Sequence, residues 1–144
     1  MAACSSVEKG KCVPCEGLDD TALLSLEHAQ SELSSMTVQP SVWTIQESNG
    51  DGILSLTRTF TAKNFQAALD AINAMGAIAE REGHHPNFHL TDYRNVEIEI
   101  WTHSLKGLTK NDFLLANLFD SEVKIAYSPK WLKEHPEAKA TSME

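Results

Sequence analysis

Residues 62–81 read Ala-Lys-Asn-Phe-Gln-Ala-Ala-Leu-Asp-Ala-Ile-Asn-Ala-Met-Gly-Ala-Ile-Ala-Glu-Arg, and their pattern decides the fold. Apolar residues recur at helical spacing on two sides. Phe65, Leu69, Ile72 and Met75 or Gly76 form one stripe, and Ala67, Ala71, Ala74 and Ile78 form a second, shallower one. One side is expected to face a sheet. The alanine side either allows close approach of a neighbouring subunit or reflects only the helix propensity of alanine. Gly83 stops this helix and Pro86 prevents its resumption.

Outward from the helix the period changes to two. Trp43, Ile45, Leu54 and Leu56 alternate with polar residues. Ser48-Asn49-Gly50-Asp51-Gly52 between them is turn chemistry, so residues 42–47 and 53–60 are predicted as a β-hairpin. On the other side Val96, Ile98 and Ile100 alternate with Glu97, Glu99 and Trp101, which predicts a strand over 96–101 after an earlier one over 88–93. Thr109-Lys110-Asn111-Asp112 has the form of a capping box ahead of Phe113, Leu114, Leu115, Leu118 and Phe119, a third helix. Asp19, Asp20 and Thr21 open a first helix with Leu23, Leu24, Leu26 and Leu33, which Gln39-Pro40-Ser41 breaks. The order α-β-β-α-β-β-α predicts an α+β fold, a four-stranded antiparallel sheet with three helices packed on one face. Residues 1–18 are expected to be a flexible N-terminal arm, 19–127 the domain, and 128–144 a loose polar tail docked locally by Trp131 and Leu132.

A length of 144 residues suits one domain, and 42% hydrophobic with 22% charged residues is an ordinary globular composition. No apolar run approaches a membrane span, so no membrane contact is expected. Met1–Ser6 lacks a signal-type apolar stretch, and the expected location is the cytoplasm, with the nucleus as the alternative. A net charge of -8 argues against direct nucleic-acid binding, though not against a protein partner that itself binds DNA. Cys4, Cys12 and Cys15 all lie in the arm. Cys12-Val-Pro-Cys15 has the spacing of half a zinc site or a redox pair, but no second pair of ligands follows it.

The chemistry concentrates in histidines. His84-His85-Pro86 sits at a rigid corner, and adjacent side chains point in different directions, so the two imidazoles do different jobs. Glu80 lies one helical turn before His84. His103 follows the strand 96–101 and would face His84 if that strand neighbours the helix end, while Asp112 can orient an imidazole. Three readings compete. A lone histidine near a turn is most often a surface residue. A metal needs three or four converging ligands, which vicinal His84 and His85 supply poorly. An acid–base pair needs one donor and one acceptor on either side of a small substrate, and rigid histidines suit it.

The run Glu80-Arg81-Glu82-Gly83-His84-His85-Pro86, with Phe88, Tyr93, Val96, Thr102-His103, Gly107-Leu108-Thr109 and Asp112, resembles the pterin-4a-carbinolamine dehydratase family over residues 20–125. Trp43, Phe60 and Phe65 join the resemblance, and the Cys12–Gly17 arm looks like N-termini in some branches. The resemblance implies dehydration of 4a-hydroxytetrahydrobiopterin to quinonoid dihydropterin and water, a step in tetrahydrobiopterin recycling, with no metal and no organic cofactor. It implies His84, His85 and His103 as catalytic residues. It implies a substrate site of Glu80, Gly83, His84, His85, Trp101, Thr102, His103, Ser104 and Asp112. It also implies a homotetramer or homodimer, and in animal members a transcription-factor partner. Many members carry Asp where this chain has Gly83 and Arg where it has Asn111. Within the active set, His84 and His103 are expected as the acid–base pair, with Glu80 beside His84, and His85 as the residue that orients the pterin. The alternative is a non-catalytic protein-binding module of the transcriptional dimerisation type, which the negative charge also suits.

Overall fold

Ser25 starts the first helix, because its hydroxyl accepts the His28 N–H at 3.1 Å. In the computed structural model, which describes residues 22–48 and 51–143, this helix α1 is Leu26–Ser34. It begins later than the sequence suggests. Leu24 is instead engaged by its N–H with the Leu108 carbonyl at 2.8 Å, a non-helical pairing. The expected cap at Asp19–Thr21, the cysteine arm and Asn49-Gly50 lie outside the described residues.

The remaining elements are β1 (Thr44–Glu47), β2 (Leu54–Thr61), α2 (Phe65–Glu82), β3 (Asn87–Thr91), β4 (Asn95–Ile100), α3 (Lys110–Glu122), α4 (Pro129–Glu134) and a 3-10 helix over Pro136–Thr141. The strands form one antiparallel sheet in the order β1-β2-β4-β3. Its register explains the core. Leu56 pairs with Ile100, Arg58 with Ile98 and Phe60 with Val96, so these residues share one face. The buried sides of α2 and α3 join the same core, with Met75, Ile78, Phe113, Leu115 and Phe119. Each such large side chain stabilises the fold by about 1.5–3 kcal/mol on burial. Thr44, Thr57, Thr59, Glu97 and Glu99 form the opposite, polar face, as strand alternation requires.

Two expectations are corrected. The face of α2 turned to the core is Ala68, Ala71, Met75, Ile78 and Ala79. Each expected stripe is therefore split: Ala71 and Ile78 of the alanine stripe and Met75 of the bulkier one are buried, while Ala67 is half-buried and Ala74 exposed. Phe65, Leu69, Ile72 and Gly76 are left half-buried or exposed on the outside.

The segment after 127 is not a loose tail. Its second half returns along the chain: Ile125 N–H bonds Thr141 O at 2.9 Å and Met143 N–H bonds Ile125 O at 2.9 Å. The physical reason is Arg58, a cation on the inner face of β2 that is only 2% exposed. Its guanidinium lies 5.9, 5.3 and 5.9 Å from the ring centroids of Trp43, Phe60 and Tyr127. It donates to Tyr127 Oη and, at 3.2 Å, to Thr141 Oγ1, and it pairs with Asp120 at 3.6 Å. Trp43 Nε1 donates to Asp120 at 3.0 Å. Burial pushes the Asp120 carboxyl up, against the opposing pull of Arg58 and the indole. The C-terminal segment supplies the hydroxyl and the cover that this buried cation needs. The tail's Trp131 stacks on Tyr127 with centroids 5.1 Å apart.

Candidate active site

The site begins with a change of backbone hand. Gly83 ends α2 at φ 67, a left-handed conformation that costs a side chain about 1 kcal/mol and glycine almost nothing. His84 N–H still bonds back to Ala79 O at 3.1 Å. The turn sends His84 inward, 4% exposed, and leaves His85 outside. Glu80 is consequently not the partner of His84. It meets His85, with Nε2 and Oε1 3.0 Å apart, in a pair open to solvent.

The partner of His84 is Asp112. His84 Nε2 lies 2.6 Å from Asp112 Oδ1, and Asp112 is wholly buried. The other carboxylate oxygen accepts the Thr109 N–H at 2.8 Å and the Thr102 hydroxyl at 2.9 Å. A carboxylate only accepts, so Thr102 donates to it and His84 carries a hydrogen on Nε2. Thr109 Oγ1 then donates to Thr102 Oγ1 at 2.9 Å, and accepts the Asn111 N–H at 3.2 Å. Asp112 is at once the reciprocal member of the α3 capping box and the hub that joins the ends of α2 and β4. The capping box was legible in the sequence. Its second use as a hub was not.

Thr102 also closes the turn that carries His103, through Thr102 N–H to Gly107 O at 2.8 Å. A Cβ at Gly107 would stand 2.8 Å from Leu23 Cδ2, so the leucine end would have to shift to admit one. His103 is exposed, its ring 4.4 Å from that of Trp101 at 62°. Ser104 lies exposed on the same turn. The expected residues thus divide between interior and surface. His84, Thr102 and Asp112 are buried and bonded together, and Glu80, His85, His103 and Ser104 are at the surface. Across the base of the corner, Arg81 makes a two-pronged ion pair with Glu122 at 3.1 and 2.9 Å, and it holds that carboxyl below its usual range. Among the described residues no three His, Cys, Asp or Glu side chains converge as metal ligands would.

The fold and the histidine corner define a small α+β domain, and comparison gives its family. The pattern of the pterin 4 alpha carbinolamine dehydratase family matches residues 22–122, and the chain belongs to that family of hydro-lyases. It is 42% identical over 106 residues to pterin-4-alpha-carbinolamine dehydratase 2, mitochondrial, of Arabidopsis thaliana, covering 74% of this chain and 53% of the relative. The chain therefore spans about half the length of that relative. It is 40% identical over 112 residues to a putative pterin-4-alpha-carbinolamine dehydratase of Chlorobaculum tepidum, covering 78% of this chain and 93% of the relative. A solved structure from Brucella melitensis, described as a transcriptional coactivator/pterin dehydratase, superposes with a TM-score of 0.56 at 25% identity, covering 69% of this chain and 96% of that one. The family match ends before Val123, so α4 and the 3-10 helix lie beyond it.

Proposed function

We propose that the chain dehydrates 4a-hydroxytetrahydrobiopterin to quinonoid dihydropterin and water, with histidines as the proton carriers and tetrahydrobiopterin recycling as its context. The observation that carries this reading is the shared carboxylate. Asp112 holds His84 by one oxygen and Thr102 by the other, and the next residue in the chain after each is an exposed histidine, His85 and His103. Two imidazoles are thereby set on separate elements around one buried anchor. Loss of water from C4a needs a proton delivered to the leaving hydroxyl and a proton removed from a ring N–H. One accessible imidazole can do each, and each positioned group contributes about 10²–10⁴-fold. The division of labour drawn from sequence changes accordingly. His85 and His103 touch substrate, Glu80 orients His85, Trp101 and Ser104 border the pterin, and Gly83 turns the corner. His84 and Asp112 act as positioning residues from below. The reaction as written calls on no metal and no organic cofactor.

The cytoplasm is the proposed location, although the Arabidopsis relative is named as mitochondrial. No described helix is long and apolar enough to cross a membrane. A homo-oligomer formed through the outer stripe of α2 is part of the same proposal. The alternative, a protein-binding module without turnover, draws on the double description of the Brucella neighbour. Turnover separates the two. With 4a-hydroxytetrahydrobiopterin generated in situ, formation of quinonoid dihydropterin should exceed the spontaneous rate in proportion to protein added. A rate equal to the background would refute the enzymatic reading and leave the binding one.

A further inference from the structure

A cavity lined mostly by the part of the chain beyond the family match includes none of the histidines of the corner in its lining. Its construction follows from local sequence. Pro129 opens α4 and Pro136 opens the 3-10 helix, so two short helices meet at a break instead of running on as one. The parallel bridge of Ile125 with Ser142 closes the segment on itself, and Ala62 pairs with Tyr127, bringing Lys63 to its rim. The result is a half-open cleft of about 920 Å³. That volume falls in the range of about 300–1,000 Å³ typical of small-molecule sites.

Its lining divides by chemistry. Tyr127 and Leu132 give it an apolar floor, and Met143, Lys63, Lys133 and Lys139 also line it. Met143 is 62% exposed, an uncovered apolar side chain at the mouth. The three lysines are a quarter of the chain's 12 Lys and Arg residues, in a protein of net charge -8. They are exposed, and none makes an ion pair among the described residues. Three like charges around an apolar cleft repel one another, and an anion between them relieves that repulsion.

We propose that this cleft binds a small amphipathic organic anion, its apolar body on Tyr127, Leu132 and Met143 and its acidic head among Lys63, Lys133 and Lys139. The occupant is a free small molecule, as the size of the cleft and its complementary charge require. The site is separate from the histidine corner and does not depend on the dehydratase reading.

The test uses the full chain, 8-anilinonaphthalene-1-sulfonate as fluorescent probe and decanoate as competitor. One probe molecule should bind per chain, decanoate should displace it, and decyltrimethylammonium should not. Lys133→Gln/Lys139→Gln should weaken both anions by about tenfold or more, through loss of two charge-assisted contacts, with unchanged circular dichroism and Tm. Leu69→Glu, on the exposed stripe of α2, should leave binding unaltered. No saturable binding, equal displacement by the cation, or undiminished affinity in the double lysine variant would overturn the proposal. Affinity that varied with protein concentration would place a second copy of the chain in the cleft and overturn it too.

Discussion

At the residue scale, one glycine reassigns the histidines. Helical spacing puts Glu80 and His84 on one face only if the helix continues through His84. Gly83 at φ 67 ends it first, so Glu80 finds His85 and His84 drops into the interior beside Asp112. The residue types of the corner were therefore legible, and their pairing was not, because pairing depends on a backbone turn that the helical period cannot describe. The consequence is measurable. His85→Ala and His103→Ala should lower kcat by about 10²-fold above background with little change in Tm, since both side chains are exposed. His84→Ala should behave differently. It leaves Asp112 Oδ1 buried and short of a partner, a loss of about 1–3 kcal/mol that thermal denaturation would register alongside the fall in activity. If His84→Ala kept its full Tm and lost kcat alone, His84 would be a proton carrier itself and the positioning role given to it would fail.

At the element scale, the strands, the hairpin and α3 were readable because their signals are local: alternation, turn residues and a capping box lie within a few positions of each other. The faces of α2 were harder. Both of its stripes are apolar, and hydrophobicity alone does not say which one meets the sheet. The core side takes residues from both: Ala68, Ala71, Met75, Ile78 and Ala79 are buried, and Phe65, Leu69 and Ile72 lie beside them, exposed or half-buried. Two substitutions of the same kind should consequently have opposite effects. Ala71→Glu places a carboxylate in the core and should unfold the chain or cost several kcal/mol, on the order of 3 or more. Leu69→Glu should fold normally and convert a homo-oligomer to smaller species. Light scattering with circular dichroism on both variants distinguishes them, and a folded, assembled Ala71→Glu protein would show that Ala71 does not face the core.

At the scale of the whole molecule, the difference between the sequence reading and the structure lies in how residues far apart in the chain share one problem. Residues 128–144 contain prolines, charges and few apolar side chains, and beyond Trp131 and Leu132 little in that window offers a face to bury. The signal was 70 positions earlier, in an arginine at an inward position between Leu56 and Phe60. A cation there requires a counter-ion, acceptors and cover. Asp120 comes from α3 and Tyr127 from the end of the expected domain, while Thr141 comes from the segment expected to be a loose tail. Nε and Nη1 of Arg58 have no hydrogen-bond partner among the described residues, so the rings, Asp120 and the Thr141 contact carry the stabilisation. A chain ending at Ser128 tests this. It removes Thr141 from Arg58 and Trp131 from Tyr127, and opens the interior charge to water at one side. Loss of a hydrogen bond to a buried charge costs about 1.5–3 kcal/mol, the uncovering of apolar side chains such as Tyr127 adds about as much, and a domain of this size loses about 2–4 °C of Tm for each kcal/mol. The truncated chain should therefore melt at least 6 °C or so below the full one, and Thr141→Val should show a smaller part of the same drop. The histidine corner lies outside the deleted segment, so turnover per folded molecule should persist below that lower Tm. Equal melting temperatures for the truncated and full chains would mean that residues 129–144 merely rest on the domain, and that Arg58 is satisfied without them.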